Sequence, residues 1–138
     1  MVKERRQLTR DEIVGTAMRL ARRVGLDGLS MRLLGDELGV SAMAVYYHVP
    51  NKEALVSLVA DEAVAELEIP DLELMRSPST PADWITGGRS FAMAAREHYL
   101  RYPGLAGFLL SHGPPPAGLS VVEAEVAGLL RLGATPTE

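Results

Sequence analysis

The amino-acid sequence predicts an all-α fold, on three observations. Apolar residues recur three and four apart through most of the chain, hydroxyl or amide side chains stand where helices would open, and no run alternates apolar and polar as a strand does. Glycine and proline interrupt this pattern at intervals that leave room for seven helices.

The first helix opens at Thr9-Arg10-Asp11-Glu12, a capping box in which the Thr9 hydroxyl and the Glu12 carboxylate satisfy each other's backbone N–H groups; Leu8 and Ile13 can pack across the start as a staple. Ile13, Ala17, Leu20, Ala21 and Val24 share one face, Arg19, Arg22 and Arg23 lie on the other, and Gly25 ends the helix. Ser30 caps a second short helix that Gly39 closes, and Ser41 caps a third that runs to His48 or Val49, since Pro50 disfavours helix in the residue before it. Asn51 caps a fourth over 52–68, with Leu55, Leu58, Val59, Ala63 and Leu67 on one side and Pro70 as its stop.

Residues 71–80 contain the run Ser77-Pro78-Ser79-Thr80 and read as a linker. Thr80 caps and Pro81 begins a fifth helix reaching about residue 101, with Trp84, Gly88, Phe91, Ala95 and Tyr99 on its apolar side and His98 beside them. A sixth helix over 104–111 is closed by His112-Gly113 and three prolines, and a seventh over 120–132 by Gly133. Thr135-Pro136-Thr137-Glu138 has the form of another helix start, so a further helix is expected beyond residue 138.

Composition narrows the function. The 138 residues, 47% hydrophobic and 23% charged, suit one globular domain or a small module joined to an incomplete second one. The absence of cysteine excludes a disulfide framework, a thiolate metal site and a cysteine nucleophile. Because the N-terminus is basic but amphipathic, and no eighteen apolar residues follow one another, the expected setting is cytoplasmic with no membrane partner. The net charge of −4 is uneven: residues 1–60 hold nine Lys/Arg against seven Asp/Glu, residues 61–138 five against eleven. The first ten residues carry Lys3, Arg5, Arg6 and Arg10 against Glu4 alone, a basic arm suited to an anionic partner.

The second and third helices have the size and spacing of a helix-turn-helix. Leu34, Leu38 and Val45 fill the inward positions, Gly35 allows close helix approach, Gly39 permits the turn and Val40 plugs the corner. With Val45 inward, the third helix exposes Ala42, Met43, Ala44, Tyr46, Tyr47 and His48, a side nearly without charge. A solvated helix would carry Lys and Glu there, whereas a groove-reading helix needs small and apolar side chains near the bases and polar tips at the phosphates. Ser41 and the other N-caps leave helix N-termini open to phosphate oxygens, Lys52 adds charge, and Arg32 is the long cation of the second helix.

Leu34-Gly35 through Gly39-Val40-Ser41, Val45-Tyr46-Tyr47-His48-Val49 and Asn51-Lys52-Glu53-Ala54-Leu55 together resemble the DNA-binding domain of the TetR family of bacterial transcriptional regulators, over residues 8–68. The resemblance implies phosphate contacts at Tyr46, His48 and Lys52, base-facing positions at Ala42, Met43 and Ala44, and a contact at Arg32. It departs from the family at Ala42 and Ala44, where side chains richer in hydrogen-bonding groups are frequent, which shifts weight to methyl contacts, DNA shape and the arm. It further implies residues 1–51 as a DNA-binding domain with the basic arm, and residues 52–138 as a helical effector-binding domain incomplete at its C-terminus. The implied protein is a homodimeric regulator, most commonly a repressor, that leaves a palindromic operator in duplex DNA when a small molecule binds. The dimer helices would follow Glu138.

For the effector, Trp84, Phe91, His98, Tyr99, Tyr102 and Phe108 are the candidates, large and partly polar residues that either line a cavity or fill a core. No cofactor or metal is expected: His98 and His112 stand fourteen apart without a second ligand at helical spacing, and Glu62, Glu66 and Glu68 read as a solvated flank. With no phosphate loop or nucleophile elbow, an enzyme has no residues to name. The competing reading is a helical protein-interaction module without sequence-specific DNA binding.

Overall fold

The computed structural model describes residues 8–135, which form eight α-helices and one 3-10 turn and contain no strand. The helices are α1 (Arg10–Val24), α2 (Met31–Leu38), α3 (Ala42–Tyr46), α4 (Lys52–Ala65), α5 (Leu72–Arg76), α6 (Pro81–Tyr99), α7 (Leu105–His112) and α8 (Leu119–Arg131), with the 3-10 turn at Pro116–Gly118. Lys3, Arg5 and Arg6 of the arm, and Pro136 to Glu138 of the expected helix start, lie outside the described residues. Among the described residues no helix is long and apolar enough to cross a membrane.

Local chemistry sets the helix starts. Thr9 Oγ1 accepts from the Glu12 N–H at 3.2 Å and Glu12 Oε2 accepts from the Thr9 N–H at 3.0 Å, and Leu8 and Ile13 are both buried beside this box. Ser30, Ser41 and Asn51 accept from the N–H three residues on, and Thr80 and Asp83 repeat the capping box at α6. One core then joins Ile13, Ala17 and Leu20 of α1, Leu34 of α2, Val45 of α3, and Leu55, Val59 and Ala63 of α4. It runs past residue 51, and it also takes in Tyr102 and Leu105 from the far half of the chain.

Several boundaries depart from the sequence reading. The third helix stops at Tyr46, with Tyr47 to Val49 continuing as a hydrogen-bonded turn that buries Val49. The fourth stops at Ala65, short of Pro70, and Val24 at the end of α1 is 40% exposed although Ala21 in the same turn is buried. The supposed linker over 71–80 contains α5, whose Met75 is buried with Val121 and Ala124 of α8. Five residues are too few to show a helical period, and the flanking prolines conceal the helix.

Two glycines admit α5. A Cβ on Gly128 would overlap the Met75 carbonyl oxygen, and one on Gly87 would lie 2.7 Å from the Met75 nitrogen. Gly87, and not Gly88, is therefore the small residue of the buried side of α6. The corner between α6 and α7 docks on the turn after α1, where the Leu26 N–H donates to the Pro103 carbonyl at 2.9 Å, and Asp61 Oδ1 holds the proline run by accepting from the Ala117 N–H at 3.0 Å.

Gly128→Ala is expected to destabilise the protein by about 1–3 kcal/mol, because the added methyl meets backbone that cannot yield. Gly107→Ala, on an open part of α7, should instead be neutral or stabilising by up to about 1 kcal/mol. Thermal unfolding followed by circular dichroism separates the two signs.

Candidate nucleic-acid interface and effector cleft

The turn between α2 and α3 is built from backbone. Gly39 adopts φ 69°, a left-handed conformation that costs glycine nothing, and its N–H and that of Val40 return to the α2 carbonyls of Asp36 and Gly35. A Cβ on Gly35 would lie 3.0 Å from the Val40 carbonyl oxygen, so the two helices meet with no side chain between them. Val45 is fully buried beneath α3, and its opposite side is bare: Met43 is 76% and Tyr47 87% exposed.

Tyr46 and His48 are exposed with them, Ala42 and Ala44 are half-buried, and the His48 ring meets that of Tyr47 edge-on at 5.3 Å. Ser41 is exposed, with its hydroxyl on the Ala44 N–H at 3.3 Å. The outer side of α3 and of the turn after it is thus largely in solvent, with the two alanines half-buried. Arg32 stands in the first turn of α2, 90% exposed and only loosely paired with Asp36 at 3.9 Å. Lys52 is engaged locally, its ammonium donating to the Asp27 carbonyl at 2.7 Å, which ties the start of α4 to the turn after α1.

Behind the head, the end of α4 and the helices α6, α7 and α8 enclose an open cleft of about 750 Å³. Of the six effector candidates, Phe91 and Tyr99 line it. The other four do not. Trp84 packs against Gly128, with its Nε1 buried and without a hydrogen-bond partner among the described residues. Phe108 stacks on His112 at 4.2 Å on another face, beside Ser57 and Asp61. His98 is buried with Nε2 2.6 Å from the Ala63 carbonyl oxygen, and since a carbonyl only accepts, that nitrogen carries the hydrogen. Tyr102 is fully buried in the head's core. Leu67, Leu109, Pro114, Pro115 and Val121, none of them candidates from the sequence, supply much of the lining; the adjacent leucines at the end of α7 were the one local signal.

Tyr102 is the centre of a clasp. Its hydroxyl donates to Glu66 Oε2 at 2.6 Å, Arg22 Nη2 reaches the same oxygen at 2.7 Å, and the Arg22 guanidinium lies 4.9 Å from the Tyr102 ring centroid. Burial, with the bond to Glu66 and its charge, pushes the phenol up to about 12, so it remains a donor at neutral pH. For Glu66 burial acts upward, but the hydrogen bonds from Tyr102 and Arg22 and the nearby positive charge outweigh it and hold the carboxyl below its ordinary range. Glu66 is exposed, as a flank residue is expected to be, but it is also held by two partners that the sequence reading did not give it. Its partners are 36 and 44 residues away, and nothing local announces them.

A helix-turn-helix that presents a bare, uncharged second helix, backed by helices that hold a cleft, defines the protein as one of the helix-turn-helix class. Residues 13–59 match the model described as bacterial regulatory proteins, tetR family. Among curated proteins the chain is 32% identical over 120 residues to the tetracycline repressor protein class D of Escherichia coli, covering 87% of this chain and 53% of that one. It is 35% identical over 103 residues to the HTH-type transcriptional repressor DrrR1 of Streptomyces coeruleorubidus, covering 71% and 34%. Its fold overlays the crystal structure of the Streptomyces coelicolor TetR family protein ActR in complex with (S)-DNPA at a TM-score of 0.74 and 30% identity, over 95% of this chain and 62% of that one. Residues 13–59 of the chain are thus a tetR-family domain, and the chain spans about half the length of the class D repressor.

The clasp gives a signed pH dependence. A carboxyl whose folded pKa is depressed stabilises the fold fully above its ordinary value of 4.5 and loses that contribution as pH falls through the lowered folded value. Melting temperature should fall more steeply below pH 4.5 in the parent protein than in Glu66→Gln. At pH 7, Tyr102→Phe should cost about 1.5–3 kcal/mol, the worth of a hydrogen bond to a charged group.

Proposed function

We propose that this chain forms the DNA-binding head and the effector-binding helices of a ligand-responsive transcriptional regulator, a repressor that holds a palindromic operator as a homodimer and is released by a small molecule. The observation that carries the reading is the outer side of α3: Met43, Tyr47 and His48 stand in solvent over a fully buried Val45, with no charged side chain on the helix. Ala42, Met43 and Ala44 face the bases, where alanine and methionine make apolar contact with thymine methyls. Ser41, Tyr46, Tyr47 and His48 approach phosphates, and so does Arg32. Lys52 has two ammonium protons left after its bond to Asp27 and serves as a phosphate contact as well. Lys3, Arg5 and Arg6 extend the contact as an arm.

A homodimer sets two copies of α3 in successive major grooves, one turn or slightly more apart. The exposed stripe Leu119, Val122, Val126 and Leu129 on α8 supports a further helical layer against this half of the molecule. The effector acts through α4, which touches the cleft at Val64 and Ala65 and carries at its start the Asn51 cap and Lys52, next to α3. The clasp adds a second path, since Tyr102 and Pro103 hold the α6–α7 corner to α1 and to the turn after it. Release requires that the ligand bind the two arrangements unequally, because equal affinity shifts nothing.

Duplexes selected by the full-length protein from a random pool, titrated by fluorescence anisotropy at several salt concentrations, test the interface. Tyr47→Ala and Met43→Ala should each weaken binding by about 1–2 kcal/mol with the salt slope unchanged, whereas Lys52→Ala and Arg32→Ala should each lower the slope by about one. Unchanged affinity in all four variants would remove α3 from the interface. Weak binding with little salt dependence in the parent protein would favour the protein-interaction module.

A further inference from the structure

The cleft is sided in its chemistry. Leu67, Phe91, Leu109 and Val121 make its walls apolar, and its volume of about 750 Å³ is that of a site for a molecule of drug size. Among the described residues that line it none is Lys, Arg or His, and the titratable groups that face it are Tyr99 and Glu125. The Tyr99 hydroxyl has no hydrogen-bond partner among the described residues, and burial raises the phenol so that it stays a neutral donor. Glu125 is exposed at the edge with no ion-pair partner among the described residues. The start of α8, which as a helix N-terminus would favour an anion, is partly spent, because the N–H groups of Gly118 and Leu119 donate to the Pro115 and Pro116 carbonyls.

The surroundings have the same sign. Residues 61–138 carry eleven Asp/Glu against five Lys/Arg, and of those arginines Arg76 and Arg101 lie 3.8 Å from Glu73 and Glu97. Among the described residues an anionic ligand in this cleft would meet Glu125 and no cation, a cost in hydration that apolar walls cannot return.

We infer that the cleft takes a largely apolar ligand that is uncharged or carries one positive charge, with a polar group for the Tyr99 hydroxyl, and that it disfavours carboxylates and other anions of the same shape. Glu125 is the residue that sets the preference for a cation, and Tyr99 supplies the orienting hydrogen bond. The inference rests on the reading of this cleft as the effector site and adds the class of effector.

Three probes with one three-ring skeleton test it on the full-length protein without DNA, by fluorescence titration: 9-aminoacridine as the cation, 9-anthracenemethanol as the neutral form and 9-anthracenecarboxylate as the anion. The cation and the neutral probe should bind, and the anion about tenfold or more weaker. Glu125→Gln should weaken the cation about threefold, the worth of an exposed charge pair, and leave the neutral probe unchanged. Ala106→Trp, which fills the cleft from α7, should abolish binding of both. Equal or tighter binding of the anion would overturn the inference, as would binding that survives Ala106→Trp or the failure of all three probes. The effector reading fails separately, if the neutral probe binds as described yet leaves the affinity for DNA unaltered.

Discussion

Tyr102 joins the two halves of this molecule. Its ring is fully buried in the core of the head, and its hydroxyl and face are held by Glu66 at the end of α4 and Arg22 on α1. A buried phenol must place its hydroxyl on an acceptor, and a carboxylate shared with a guanidinium is among the strongest available. Through that one side chain the α6–α7 corner is locked onto the helices that carry the helix-turn-helix, and the backbone bond from Leu26 to Pro103 makes the contact two-point. The rear helices are thereby part of the head's own core.

The opposite end of the head is built by the reverse strategy. A helix of five residues cannot sustain itself in water, so α3 exists because Val45 and Val49 are buried beneath it and because Gly35 lets α2 approach it by backbone alone. All the stabilising contact is made on one side. The other side owes nothing to the fold, and it is there that methionine, two tyrosines and a histidine stand in solvent. Such a surface is costly to keep bare unless it meets something, and a duplex groove lined by methyls and phosphates answers to its mixture of apolar and polar groups.

Between these ends lies the cleft, where shape and charge are set by different elements. Its apolar walls come from four separate stretches of chain, and its polarity from Tyr99 and Glu125. Of the acidic residues that are in excess in the second half, Glu125 is the one that reaches the cleft.

The sequence by itself determined what is local. The caps at Thr9, Ser30, Ser41, Asn51 and Thr80, the Gly39 turn and the inward Leu34 and Val45 are all decided within a few residues, so the helix-turn-helix and its exposed face were legible together. Only the tertiary structure decided the rest. It made a helix of 72–76, set Glu66 against Tyr102 and Arg22, and gave the cleft that Phe91 and Tyr99 line its other walls from Leu67, Leu109 and Val121, with Trp84, His98, Tyr102 and Phe108 elsewhere. Capping and turn chemistry act over three or four bonds' reach along the chain, whereas burial and ion pairing act between residues that only the packed fold brings together.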